Sequence, residues 1–177
     1  MTYPPRARNV ELKAIDPDPR ATLGAALACG AEDHGEREQR DTFFHAPVGR
    51  LKLREDAAAG AELIHYIRAD RVHAKVSSYQ RLKIAEPNAM RATLAEALGI
   101  SVVVAKRRRV LLWETARIHL DQVEGLGSFL EIEVVVEPKS GLDRAHDTLA
   151  RLRRHVPIDA KCLLPAAYAD MLLDRAA

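Results

Sequence analysis

At 177 residues the chain is long enough for one domain with a full hydrophobic core. Its 27 basic and 25 acidic residues leave a formal net charge of +2, which excludes whole-protein steering toward nucleic acid, so any electrostatic function rests on local sorting of charge. Two cysteines in no metal-ligand spacing suit a reducing compartment, residues 1–9 hold no signal-peptide core, and no apolar run approaches the roughly 20 residues of a membrane span. A cytoplasmic protein with no membrane or nucleic-acid partner is expected.

Val10, Leu12 and Ala14 alternate with Asn9, Glu11 and Lys13, the period of a strand with one apolar face. The run Asp16-Pro17-Asp18-Pro19 ends it and leads into a helix over 20–29. Mixed charges over 32–40 read as a loop, and 41–45 and 50–55 as two short strands joined through Pro47-Val48-Gly49. Strands follow at 62–68 and 75–85. Pro87 then opens an amphipathic helix that runs to Leu98, with Gly99 just past its end. A long β-branched strand covers 102–114, and 116–123 and 129–136 form a hairpin across Glu124-Gly125-Leu126-Gly127. Helices over 140–155 and 166–176 close the chain. No repeat or linker divides it, so residues 1–177 are expected to form a single domain.

The expected class is α+β, with eight antiparallel strands, enough to close a barrel, and flanking helices. Charge parity then becomes informative. Arg50, Lys52 and Arg54 share one strand face, opposite Leu51 and Leu53. Lys106 and Arg108 share a second, Arg117, His119 and Asp121 a third, and Glu131 and Glu133 a fourth. One group of strands thus offers cations and another offers paired carboxylates. Helices covering the apolar faces from outside would turn the charged faces into the lumen. Like charges about 5 Å apart repel by roughly 3 kcal/mol at an effective dielectric of 20. Such a lumen makes physical sense with a divalent cation on its acidic side and a polyanion on its basic side. No P-loop, dinucleotide fingerprint, nucleophile elbow or zinc spacing competes; His65 and His73 lie too far apart for one helical face.

The stretch Asn9-Val10-Glu11-Leu12-Lys13 resembles the Glu-x-Glu-x-Lys signature of the CYTH superfamily, the triphosphate tunnel metalloenzymes. Gly49 to Glu55, Lys106-Arg107-Arg108, Ile118-His119-Leu120-Asp121 and Gly125 to Glu133 match further family motifs in order. The resemblance implies an eight-stranded tunnel with Mg²⁺ or Mn²⁺ as cofactor and a triphosphate-bearing small molecule as substrate. By matching position, Glu11, Asp121, Glu131 and Glu133 would be metal carboxylates. Lys13, Lys52, Arg54, Arg68, Lys106 and Arg108 would bind phosphates, with Arg117 added by parity. Glu11, Lys13, Glu131 and Glu133 would form the catalytic set. Ala167-Tyr168 falls where the family often carries Ser-Tyr. The first signature Glu is Asn9 here, so weaker metal binding is expected at that position.

The leading expectation is metal-dependent hydrolysis of inorganic tripolyphosphate or a nucleoside triphosphate. The alternatives are a class IV adenylyl cyclase forming cyclic AMP and a non-catalytic polyphosphate- or nucleotide-binding module. Thiamine triphosphate is disfavoured, since no inward Trp accompanies Arg50, Lys52 and Arg54. A closed barrel leaves no free sheet edge, so a monomer or a homodimer formed through helices or loops is expected.

Overall fold

The computed structural model describes residues 6–68, 74–138 and 141–176; His73 and Ser140 lie outside these. Within them, strands β1 (Ala7–Ile15), β2 (Glu32–Phe44), β3 (Arg50–Asp56), β4 (Gly60–Arg68), β5 (Lys75–Ile84), β6 (Ile100–Trp113), β7 (Ala116–Val123) and β8 (Gly127–Val135) close an antiparallel barrel. The order around the wall is β1-β5-β4-β3-β2-β6-β7-β8, and β8 pairs back onto β1. Helices α1 (Pro19–Ala28), α2 (Pro87–Leu98), α3 (Gly141–His155) and α4 (Tyr168–Ala176) flank it. None of them is long and apolar enough to cross a membrane.

The sharpest departure from expectation is at 32–40, expected as a loop and found as the first part of β2. This stretch has no apolar face to announce a strand. Its partner supplies what it lacks, because the register sets Glu36 opposite Arg109 and Glu38 opposite Arg107. Cross-strand pairs of opposite charge favour such a ladder, each by a few tenths of a kcal/mol to about 1 kcal/mol.

Local signals set the helix ends. Asp18 caps α1 by accepting from the Ala21 N–H, with Pro19 in the first turn. Gly99 ends α2 at φ 75°, donating its N–H to Ala95 O. Ala145, Thr148, Leu149 and Leu152 form one buried stripe on α3, at the spacing of a single helical face. That stripe lies on β1 and β8, over Val10, Leu12, Ile132 and Val134. The apolar core therefore lies outside the barrel wall, and the alternate residues of the same strands face inward. Each fully buried Leu there contributes about 2 kcal/mol.

Helix α4 departs from the expected external role. Its first residue, Tyr168, packs with Phe43, Val104, Val123 and Phe129, most of which point into the barrel, and together they form a floor at one end of the lumen. Arg50 binds Asp170 of this helix at 2.8 Å, and Arg175 donates to Gly125 O.

Candidate functional site

The strand parity that buries apolar residues outside brings the charged set inside, around a cavity of about 320 Å³. Lys13, Glu11, Lys52, Arg54, Arg68, Lys106, Arg108, Arg117, Glu131 and Glu133 all line it. A larger groove of about 1060 Å³ runs along the outer wall past Glu38, Arg107 and Leu126. The convergent charges lie in the lumen, so the lumen is the candidate site.

On the side formed by β2, β3 and β6, three cations converge on one carboxylate. Asp41 is 1% exposed. It accepts from Arg54 Nε at 2.7 Å and Nη2 at 2.9 Å, from Lys52 Nζ at 2.9 Å and from Lys106 Nζ at 2.8 Å. Burial pushes the Asp41 carboxyl up, but Arg54, Lys106 and Lys52 outweigh it and hold it well below the usual carboxylate range. The lysines respond oppositely. Burial and Arg54 pull Lys52 down to about 7 against Asp41, and burial pulls Lys106 to about 8.

On the side formed by β1, β7 and β8, Lys13 Nζ lies 2.8 Å from Glu131 Oε1 and 3.5 Å from the Tyr168 ring centroid. Arg108 grips Asp121 with two bonds of 2.6 Å and reaches Glu131 Oε2 at 2.8 Å. The Tyr168 hydroxyl also donates to Asp121, at 2.8 Å. Arg68 of β4 donates to Glu11 at 2.8 Å. Arg117 and Asn9 Nδ2 approach Glu133 at 3.6 and 3.4 Å. Despite burial, Arg108 lowers Asp121 to about 2. Glu11 moves the other way, raised by burial and by Glu131 and Glu133 in spite of Arg68.

This geometry corrects the expectation of an acidic side facing a basic side. The signs interleave: Asp41 sits among Lys52, Arg54 and Lys106, and Lys13, Arg108 and Arg117 sit among the carboxylates. Interleaving removes much of the repulsion that like-charged walls would suffer. The expected metal set also divides. Asp121 is occupied by Arg108 and Tyr168, and Glu11 by Arg68. Glu131, which also pairs with Lys13 and Arg108, and Glu133 group with His119, each offering one ligand atom within 4.8 Å of the others. Two clustered carboxylates and an imidazole are a donor set that fits a divalent cation.

Asp41 is the main residue that sequence reasoning missed. Its strand was visible, but its inward neighbours Gln39 and Phe43 carry no charge, so no alternation marked it. Tyr66 and Tyr79 also line the cavity, Tyr79 donating to Asn9 Oδ1 at 3.3 Å.

The CYTH domain profile matches residues 7–168. The chain belongs to the CYTH domain family. Solved structures similar to this CYTH domain include a Pyrococcus horikoshii protein at 20% identity and TM-score 0.81, covering 92% of this chain and 98% of that one. A second Pyrococcus horikoshii protein is 22% identical with TM-score 0.73, covering 94% of this chain and 99% of that one. A Vibrio parahaemolyticus protein provisionally assigned as an adenylate cyclase is 20% identical with TM-score 0.76, covering 93% and 97%. At these identities the likeness establishes the shared fold of the CYTH domain. No curated protein matches the chain.

Proposed function

We propose that this CYTH domain is a divalent-metal-dependent phosphohydrolase that binds inorganic tripolyphosphate or a nucleoside triphosphate in its lumen. The observation that carries this reading is the charge balance of the cavity lining. Among the described residues that line it, nine cationic side chains face six carboxylates, an excess of three positive charges. A triphosphate carries about four negative charges at neutral pH. One divalent cation added to the lumen raises that excess to about five, enough to offset the whole of the substrate's charge.

Lys52, Arg54 and Lys106 hold the phosphates from one side, exchanging Asp41 for phosphate oxygens of similar geometry. Glu131 and Glu133 hold the metal. When bound, Mg²⁺ or Mn²⁺ would supply charge neutralisation at the phosphate oxygens. Glu11 and Lys13 pair in register with Glu133 and Glu131, and so stand beside the metal side, where the attacking water is oriented. Arg37, Arg68, Arg81, Arg108 and Arg117 complete the cationic lining among the described residues.

The test is product analysis after incubating purified protein with tripolyphosphate or ATP and Mg²⁺ or Mn²⁺. Orthophosphate release supports the proposal. Cyclic AMP with pyrophosphate would replace it with cyclisation, and no product from either substrate would leave a non-catalytic binding module. Glu131→Gln should abolish metal-dependent turnover while the folded circular dichroism spectrum persists; near-normal turnover would remove Glu131 from the metal site.

A further inference from the structure

His119 is the sole histidine among the described residues that line the cavity. It is 5% exposed, and its Nδ1 is buried without a hydrogen-bond partner. A buried polar atom left unpaired has lost its hydration with nothing in return, so its retention here calls for a reason. Glu131 Oε2 lies 3.5 Å from this nitrogen, beyond a good hydrogen bond but well inside the reach of a shared ion. The β7–β8 register sets His119 opposite Glu131 and Arg117 opposite Glu133, so the imidazole is placed by the same ladder that places the carboxylates.

We infer that His119 is a nitrogen ligand of the metal held by Glu131 and Glu133, and that it biases the site toward Mn²⁺ and other first-row transition ions over Mg²⁺. The inference deepens the proposed function by adding a ligand to its metal site. Mg²⁺ is a hard ion that takes oxygen donors in a strict octahedron, and imidazole nitrogen contributes little to its binding. First-row transition ions accept imidazole readily, and their affinity for a nitrogen-containing site rises along the series from Mn²⁺. Asn9, where the family signature carries a carboxylate, takes one hard charged donor out of the lumen. A nitrogen donor on β7, two strands away, shifts the remaining set in the same direction.

The experiment is electron spin-echo envelope modulation on the unaltered, folded protein loaded with one equivalent of Mn²⁺ and no triphosphate. Directly coordinated ¹⁴N gives a strong modulation, and ¹⁵N-histidine labelling must change it. Isothermal titration with Mn²⁺ and with Mg²⁺ then compares the unaltered protein with His119→Gln. The variant should lose the nitrogen modulation and about 10- to 100-fold in Mn²⁺ affinity, while its Mg²⁺ affinity stays within about threefold. Absence of histidine modulation in the unaltered protein overturns the inference without any variant. Equal losses for both ions in a folded variant also overturn it. Nitrogen ligation without turnover would leave this inference standing and sink the hydrolase reading; turnover without nitrogen ligation would do the reverse.

Discussion

Replacing Asp41 with Asn tests whether one buried carboxylate organises the cationic side of the lumen. The substitution keeps the side-chain volume and removes the charge that Lys52, Arg54 and Lys106 share. Breaking a buried ion pair by removing one partner costs about 3–5 kcal/mol, because the other partner stays buried. Part of that cost can be relieved here. Lys52 already titrates near 7, so losing its proton at neutral pH takes little free energy. The net loss should therefore sit near the lower end, about 3 kcal/mol, and a chain of this size loses about 2–4 °C of Tm per kcal/mol. Differential scanning calorimetry of Asp41→Asn should show a fall of about 6–12 °C. Tripolyphosphate should restore more of the Tm in Asp41→Asn than it adds to the unaltered protein, because phosphate oxygens take the vacated positions. A Tm within 2 °C of the unaltered protein, with an equal ligand shift, would refute the reasoning.

The depressed lysines make binding proton-linked. Lys52 faces Asp41, Arg54 and Lys106, with Tyr66 and Phe43 on neighbouring strands, and phosphate oxygens arriving among these groups draw Lys52 and Lys106 back up from about 7 and about 8. Between those values and 10.5 the bound state then holds more protons than the free state, so affinity falls as pH rises through that window. Titration calorimetry at pH 8 in two buffers of different ionisation heat should show net proton uptake; none would place the phosphates elsewhere. Tyr168→Phe removes the hydroxyl that donates to Asp121 and should lower stability by about 1.5–3 kcal/mol by urea denaturation, as expected for a bond to a charged group; no change would show that Arg108 alone satisfies Asp121. Gly49 sits at φ 68° with Tyr66 O 2.6 Å from where a Cβ would stand, so Gly49→Ala should cost more than the 1–2 kcal/mol of the backbone conformation alone. An unchanged denaturation midpoint would show that the β3–β4 edge yields freely.

The inward set on β7 and β8 was legible because polar and apolar residues alternate strictly there, and the pleat converts that alternation into two faces. The first part of β2 was not, since Glu36 and Glu38 are strand residues only by virtue of Arg109 and Arg107, about seventy residues further along. Arg50 shows the limit of parity alone: it shares a face with Lys52 and Arg54, yet it lies beyond the floor and binds Asp170. Tyr168 reaches Asp121 only because the start of α4 enters the barrel, a tertiary placement that no local period encodes. The pairing of signs was equally hidden, because Lys13 meets Glu131, and Arg68 meets Glu11, only once the wall is closed.

The closure of β8 onto β1 has a consequence for how the protein comes into being. The first strand has a partner in β5, but its second ladder, Glu11 to Glu133 and Lys13 to Glu131, waits for the last strand to be made. Contacts of such sequence separation are slow to form, because the loop entropy is lost before the ladder rewards it. Closing β8 onto β1 and assembling the Glu131 cluster are therefore one event. A nascent or truncated chain ending before β8 would hold most of its wall but neither Glu131 nor Glu133, so the proposed metal site cannot form until the barrel is closed.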